Sequence, residues 1–466
     1  MVKKMKKNFK TKLMLLAVIV FAAVSSLTGF FQDDVEAKPP KHKPNHGKVK
    51  NVIFLIGDGM GPAFTSAYRY LKNDSDNQFA KRTAFDNYLV GRQMTYPQDQ
   101  EENVTDSAAA ATSMSSGVKT YNAAIAVDND RSETKTVLEA AKERGKATGL
   151  VATSEITHAT PASFGAHDED RNNMDEIADD YYDELIKGKH KVDVMLGGGK
   201  DQMIRDDRNI VKQFQKDGYS YVDNKKDLLK DKNEQIVGLF ADGGMPKMID
   251  RNKETPSLKD MTNTAIKRLN KDKDGFFLMV EGSQIDWAAH DNDIVGAMSE
   301  TEDFEKAFQA AIDFAKKDKH TLVVATADHS TGGFTIGANG EYNWFTEPIK
   351  KAKRTPDFMA SEIADGADVA ATLNKYIDFD LTAEEIQSVK DAGNKVTEID
   401  NAIERIFDKR TNTGWTTSGH TGVDVPVFAY GPASDRFAGQ IDNTDNAKII
   451  FDLLAKGKHK NKIDDK

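Results

Sequence analysis

The stretch of sequence that decides the fold is Asn51-Val52-Ile53-Phe54-Leu55-Ile56-Gly57-Asp58-Gly59. It is an unbroken apolar run that ends in glycine, aspartate and glycine. An unbroken run of this length, bounded by glycine, indicates a strand that is buried on both faces of its sheet. The stretch therefore predicts an inner strand, with Asp58 at its carboxyl end.

Four further apolar runs share this design, at 147–153, 275–280, 321–326 and 425–430. Helical patterns, such as 136–144 and 301–316, lie between them. Alternating strands and helices indicate βαβ units, so we predict an α/β fold: a mostly parallel central sheet with helices on both faces. Because Pro426 lacks the N–H that a strand ladder uses, the last run is expected to be an edge or late strand.

Acids and a histidine follow three of these runs, at the carboxyl ends of the predicted strands. They are Asp58, Glu281, Asp328 and His329. Open parallel sheets bind their ligands at this edge. We therefore expect the four side chains to form one composite site.

The body of the chain is interpreted as one catalytic domain, residues 51–455. Residues 330–418 interrupt the sheet pattern and are polar, with helical segments at 356–364, 367–376 and 382–409. We predict that this stretch is an insertion that caps the carboxyl ends of the strands.

The amino terminus is typical of a secretory signal peptide, residues 1–37. A lysine-rich start, an apolar run and small residues precede a candidate cleavage position after Ala37. A retained membrane anchor is the alternative, because the apolar run is near the lower length limit of a spanning helix. Residues 38–50 are interpreted as a linker and 456–466 as a charged tail. We expect a secreted or cell-surface protein with no membrane span once the signal is cleaved.

Charge and composition exclude some functions. The formal net charge is −10, and removal of the first 37 residues, with six lysines and three acids, takes it to −13. An acidic body argues against a general nucleic-acid-binding surface. The chain has no cysteine, so histidine, aspartate and glutamate must hold any transition metal.

Ser107 follows an acid and precedes a run of small residues. This pattern places a hydroxyl in the first turn of a helix, where unpaired N–H groups and the helix dipole favour an anion. Taken alone, the segment is better interpreted as an ordinary helix cap, and only the acids and histidines elsewhere in the chain favour a site.

Three further positions suit a metal site. Asp286 and His290 are four residues apart and would share one face of a helix, although a surface ion pair has the same spacing. His420 lies between glycines in a loop, where a packed core histidine is less expected.

Seven short motifs together resemble the alkaline phosphatases, in order and roughly in spacing, from about residue 50 to 432. They lie at 56–61, 105–108, 158–161, 280–282, 285–290, 326–329 and 419–422. The resemblance implies a nucleophile, Ser107, and an arginine that clamps phosphate, Arg171. It implies two zinc ions, the first held by Asp286, His290 and His420 and the second by Asp58, Asp328 and His329. It also implies one magnesium ion, held by Asp58, Thr160 and Glu281.

The resemblance implies a metal-dependent phosphomonoesterase that forms a phosphoserine, accepts varied leaving groups on small phosphate monoesters and assembles as a homodimer. Two positions depart from the enterobacterial form, which has an acid at His158 and a lysine at Trp287; they leave the identity of the third metal open. A phosphodiesterase or sulfatase with the same bimetal core is one alternative. A secreted binding protein with an inactive site is the other.

Overall fold

A mixed sheet of ten strands forms the centre of the computed structural model, which describes residues 47–73 and 80–455. Its strand order is β16-β2-β15-β10-β1-β9-β3-β6-β8-β7, and three two-stranded ribbons are also described. The strands are β1 (Asn51–Gly57), β2 (Leu89–Met94), β3 (Ala147–Glu155), β4 (Leu185–Ile186), β5 (Lys189–His190), β6 (Val194–Gly198), β7 (Ser220–Val222), β8 (Ile236–Leu239), β9 (Phe276–Gly282), β10 (Thr321–Thr326), β11 (Ser330–Thr331), β12 (Thr335–Ile336), β13 (Thr413–Gly414), β14 (His420–Thr421), β15 (Val425–Tyr430) and β16 (Gly439–Asp442).

Helices connect the strands. The α-helices of the described residues are α1 (Pro62–Leu71), α2 (Ala84–Tyr88), α3 (Ser107–Ser116), α4 (Val137–Glu143), α5 (Ala159–Gly165), α6 (Met174–Asp183), α7 (Lys200–Met203), α8 (Ile210–Lys216), α9 (Lys225–Lys230), α10 (Leu258–Leu269), α11 (Gln284–His290), α12 (Ile294–Asp318), α13 (Glu347–Lys350), α14 (Pro356–Ala364), α15 (Val369–Tyr376), α16 (Ala383–Asp391), α17 (Val396–Thr411) and α18 (Thr444–Ala455). None of these helices combines the length and the apolarity needed to cross a membrane.

The predicted fold class is confirmed. Strand β1 pairs in parallel with β9 on one side and β10 on the other, and within this sheet only β15 runs antiparallel to its neighbours. Successive residues of β1 face opposite sides, because side chains alternate along a strand. Ile53 and Leu55 join one apolar cluster, and Val52 and Phe54 join the other. Both faces of the sheet are therefore covered by helices, as the unbroken apolar run predicts.

Residues 425–430 form a late strand, β15, but not an edge strand. Strand β15 lies inside the sheet, between β10 and β2. The proline is tolerated because β15 pairs with β10 only from Phe428 onward, so that side of Pro426 has no ladder partner. There the hydroxyl of Thr326 donates to the carbonyl of Pro426 at 3.1 Å, and the register shifts after Val427.

Residues 330–418 contain the five helices α13 to α17. The segment predicted as one helix at 382–409 is two helices, because Gly393, with φ +84°, breaks it. Buried Met359, Leu373 and Phe407 belong to the apolar cluster on one face of the sheet, so this segment extends the main core. The predicted signal peptide 1–37, residues 38–46 of the predicted linker and the predicted tail 456–466 lie outside the described residues.

Candidate active site

Three neighbouring strands bring the predicted acids together. Ile56 of β1 is in register with Glu281 of β9 and with Thr326 of β10. Asp58 therefore leaves β1 beside Glu281, and Asp328 follows β10 at the same edge of the sheet. All three carboxylates are fully buried.

Asp58, Asp328 and His329 form a group that could hold a metal ion. The Nε2 atom of His329 lies 3.5 Å from Oδ1 of Asp58 and 3.3 Å from Oδ2 of Asp328. Neither oxygen of Asp58 has a hydrogen-bond donor, and burial, followed by the charge of Asp328, raises its pKa well above the usual value. Buried anionic oxygens without donors are costly. A divalent cation fits this donor set.

Asp286, His290 and His420 form a second such group. The Nδ1 atoms of His290 and His420 are paired with the backbone carbonyls of Ser418 (2.5 Å) and Thr105 (2.9 Å). The two Nε2 atoms then face each other at 3.0 Å, and lie 3.2 and 3.6 Å from the Asp286 carboxylate. Ligands of a tetrahedral zinc ion are about 3.3 Å apart, and metal-binding histidines donate their other N–H in this way. The set fits zinc.

A third set of oxygens adjoins the Asp58 carboxylate. Glu281 lies beside Asp58 and Thr160, and both Oε1 of Glu281 and the hydroxyl of Thr160 are buried without a hydrogen-bond partner. Burial raises the pKa of Glu281 to about 8. Oxygen-only ligands of this kind suit magnesium.

Ser107 lies where the sequence predicts, as the first residue of helix α3. Asp106 is the N-cap, and its carboxylate accepts the backbone N–H of Ala109 at 2.9 Å. The serine is only 2% exposed, and its hydroxyl oxygen lies 3.1 Å from Nε2 of His329. The positively polarised amino terminus of helix α3 therefore lies beside the group formed by Asp58, Asp328 and His329.

Arg171 lies in the segment after α5, and its side chain contacts the residue that caps α3. Its guanidinium donates to Oδ2 of Asp106 at 3.0 Å and to Nε2 of His158 at 3.2 Å. Asp106 also accepts the backbone N–H of Ala123 at 3.0 Å, so one carboxylate fixes both the helix start and the arginine. Sequence reasoning missed this positioning role of Asp106, although the acid before Ser107 was a usable signal.

His158 is ambiguous from the sequence, and the structure places it beside Arg171. Burial, followed by the charge of Arg171, lowers the pKa of His158 to about 3. The neutral ring accepts from the guanidinium and packs against Trp287 in a T-shaped arrangement, with the ring centres 5.5 Å apart. The two positions that depart from the enterobacterial pattern thus contact each other.

Thr331 joins the two histidine-containing groups, and no sequence signal identifies it. Its hydroxyl donates to Asp286 and lies 3.2 Å from Nδ1 of His329. The rings of His329 and His420 stack at 3.6 Å between their centres. Strand β11 pairs Thr331 with His420, a contact between residues 89 positions apart. Such long-range pairing is invisible in local sequence patterns.

His190 lies among lysines, a setting that favours a solvated side chain, but the structure largely buries it. Its side chain is 11% exposed and its Nε2 lies 2.9 Å from the carboxylate of Asp217. The ring packs against Tyr182, Phe214 and Tyr219. The aromatic residues that cover it come from other elements of the chain.

Gly59 is expected to tolerate no side chain. It has φ +68°, and a Cβ atom there would lie 2.7 Å from the Thr331 hydroxyl and 2.8 Å from Asp286. Gly188 has a similar φ of +74° but open space around its Cβ position. Gly59→Ala should therefore lower the free energy of unfolding by about 3 kcal/mol and Gly188→Ala by about 1 kcal/mol. Denaturant unfolding measures both; equal losses would show that the site has room for the methyl group.

Comparison with known proteins places this chain in a family. A sequence profile described as alkaline phosphatase matches residues 49–456. The chain belongs to the alkaline phosphatase family. It is 68% identical to alkaline phosphatase 3 of Bacillus subtilis (strain 168), over 99% of this chain and 100% of the relative. It is 56% identical to alkaline phosphatase 4 of the same organism, over 97% and 98% of the two chains.

Solved alkaline phosphatases share the fold. The cold-active alkaline phosphatase of the psychrophile Shewanella sp. superposes with a TM-score of 0.82 at 41% identity, covering 87% of this chain and 99% of that one. The enzyme of the Antarctic bacterium TAB5 gives a TM-score of 0.66 at 32% identity, covering 88% and 100%. These relatives are enzymes by name, which favours an enzyme over a non-catalytic binding protein.

Proposed function

We propose that this chain is a secreted, metal-dependent phosphomonoesterase that converts small phosphate monoesters to an alcohol and inorganic phosphate through a phosphoserine at Ser107. The observation that carries the proposal is the 3.1 Å distance between the Ser107 hydroxyl oxygen and Nε2 of His329. At this distance the hydroxyl, which lies at a helix amino terminus, is next to Asp58, Asp328 and His329, a ligand set suited to a divalent cation.

Two zinc ions and one magnesium ion complete the proposed site. Asp286, His290 and His420 would hold one zinc ion, Asp58, Asp328 and His329 the other, and Asp58, Thr160 and Glu281 the magnesium. When bound, the ions supply the positive charge that acidifies the attacking hydroxyl and water and stabilises the leaving oxygen. A histidine-to-glutamate variant of the TAB5 enzyme is described with magnesium in its M3 site, which supports magnesium at a third position here.

The residues of this chain would divide the reaction into two displacements. The Ser107 oxygen forms a bond to phosphorus as the bond to the alcohol oxygen breaks, and the alcohol leaves with a proton. Water then displaces the serine oxygen from phosphorus, which releases phosphate and restores the hydroxyl. Arg171 would hold two phosphate oxygens through its paired N–H groups, and the start of helix α3 would favour the charge that develops nearby.

The combination of Arg171 with a third cation position favours dianionic monoesters over diesters and sulfate esters. We expect rapid hydrolysis of p-nitrophenyl phosphate and of several chemically different alkyl and aryl monoesters at comparable rates, when zinc and magnesium are supplied. Steady-state rates on these esters, on bis(p-nitrophenyl) phosphate and on p-nitrophenyl sulfate test the proposal. A faster rate on the diester or the sulfate would replace it with the corresponding alternative.

Arg171→Ala is expected to lower kcat/KM for p-nitrophenyl phosphate about 10²-fold, because a bidentate, charge-assisted contact is lost. Arg171→Lys should recover only part of this, since an ammonium cannot copy the fork. Arg131→Ala is the matched control, because Arg131 is exposed and its guanidinium forms a surface ion pair with Glu169. Equal kcat/KM values for Arg171→Ala and the control would remove Arg171 from phosphate binding.

Secretion and dimerisation are part of the same proposal. Secretion rests on the amino-terminal sequence pattern and dimerisation on the family resemblance. Amino-terminal sequencing of the protein from culture medium should begin at Lys38, and sizing in solution should give twice the mass of one mature chain. Retention in the membrane fraction would favour the anchor instead.

A further inference from the structure

A third histidine-centred group lies outside the proposed catalytic site, among the residues that the structure describes. Glu133, His167 and Glu184 each offer one ligand atom, and these atoms all lie within 4.8 Å of one another. His167 lies just after α5, Glu184 closes α6, and Glu133 precedes α4. The sequence suggested no role for His167.

The ring of His167 has the hydrogen bonding of a metal ligand. Its side chain is 5% exposed. Its Nε2 lies 3.2 Å from the carbonyl oxygen of Thr134, to which it donates. Nδ1 is buried, has no hydrogen-bond partner and lies 3.6 Å from Oε2 of Glu184. In the neutral ring this Nδ1 directs a lone pair towards a carboxylate, so the arrangement needs a metal ion or a proton between the two groups.

The same arrangement occurs at the proposed catalytic site. His290 and His420 each use one ring nitrogen on a backbone carbonyl and present the other to a carboxylate of Asp286. Metal-binding histidines have this arrangement because the second hydrogen bond fixes the tautomer and orients the lone pair. His167 repeats it with Nδ1 in place of Nε2.

We propose that Glu133, His167 and Glu184 bind a fourth divalent ion of the zinc type. One imidazole with two carboxylates suits such an ion, and the exposed Glu133 gives it a path from solvent. Glu139 lies 3.7 Å from His167 and adds negative charge. The Lys191 ammonium also contacts Glu184, so Lys191 together with a proton on His167 is the competing occupant.

The ion would fasten the segment that carries Arg171. Asp168, next to His167, exchanges two backbone hydrogen bonds of 2.9 Å with Ile125, and Arg171 donates its N–H to Ala123 at 2.9 Å. Glu133 bridges to Val127 in the same loop. The site thus joins two segments that meet at the arginine.

Zinc binding at controlled free zinc concentrations tests the proposal. The secreted protein, with magnesium present, is dialysed against a series of zinc buffers, and bound zinc per chain is counted by mass spectrometry. Wild type should bind one zinc ion more than His167→Gln. Glu133→Gln changes an exposed residue, and this variant should bind the last zinc ion only at a free zinc concentration at least about tenfold higher than wild type needs. Glu169→Gln, on the same segment but outside the group, is the control and should match wild type.

Superimposable curves for wild type, His167→Gln and Glu133→Gln would overturn the proposal and assign the cluster to a proton and Lys191. Circular dichroism establishes which variants fold. If His167→Gln does not fold, the Glu133→Gln curve decides, because that side chain is exposed. The outcome does not depend on the proposed hydrolysis, since the readout is bound metal.

Discussion

Ser107→Ala is expected to lower kcat for p-nitrophenyl phosphate by roughly 10³-fold or more, because a covalent route loses its attacking atom. The fold should survive, since alanine fits the first turn of α3 and the Asp106 cap is untouched. Rates at saturating zinc and magnesium measure the effect, and thermal unfolding confirms the fold.

Ser113→Ala is the matched control for Ser107→Ala. Ser113 is another buried serine of α3, and its hydroxyl bonds within the helix to the carbonyl of Ala109. This variant should keep nearly the full rate. If Ser107→Ala is as active as the control, the ions act on water without Ser107 and the covalent mechanism is wrong. If wild type itself is inactive on this ester, the diester and sulfate alternatives gain support.

Removal of metal ions is expected to abolish activity and to lower the thermal midpoint by roughly 10 °C or more at pH 8. The fall in thermal midpoint should grow with pH, because burial raises the pKa of two carboxyl groups in the site. The pKa of Glu281 is raised to about 8, and that of Asp58 lies well above its usual range. The unfolded chain has pKa values of about 4 for these groups.

The direction of this pH effect on stability depends on how many protons the folded and unfolded chains bind. Between pH about 4 and about 8, Glu281 and Asp58 bind more protons in the folded, metal-free chain than in the unfolded chain, so their contribution to the free energy of unfolding falls as pH rises. Bound cations offset this cost. The gap in thermal midpoint between metal-loaded and chelated protein should therefore widen from pH 5 to pH 8 and then level off.

Glu281→Gln provides the control for this pH effect. It removes one buried carboxylate, so the metal-free variant should lose less stability than metal-free wild type between pH 5 and pH 8. Calorimetry at a series of pH values measures both. A gap that stays constant with pH, or that narrows, would contradict the account of the buried carboxylates.

Local sequence patterns predicted the parts of the fold that depend on local forces. The bounds of β10 and α14 agree with the apolar run at 321–326 and the helical segment at 356–364. Ser107 begins a helix because a capping acid and small residues favour one. Strands β2 and β16 were not predicted, since they are short, partly polar and exposed, and only pairing with distant strands makes them strands.

The same distinction applies to the site. Asp58, Glu281 and Asp328 could be predicted as neighbours, because parallel strand ends share an edge. Thr331, and the carbonyls of Thr105 and Ser418 that orient the histidines, could not. Their roles depend on the ribbon of β11 with β14 and on loops that meet only in the folded chain. The tautomer of His167 is likewise a property of the folded chain.

Detection of phosphate on Ser107 is the most direct test of the central claim. Wild-type enzyme with zinc and magnesium is mixed with excess substrate at moderately acidic pH, quenched in acid and digested, and the peptides are analysed by mass spectrometry. The account predicts one phosphoryl group on the peptide that contains Ser107, located at that residue, and none after chelation. Rapid turnover with no phosphorylated Ser107 at any quench time, or phosphate on another residue, would contradict it.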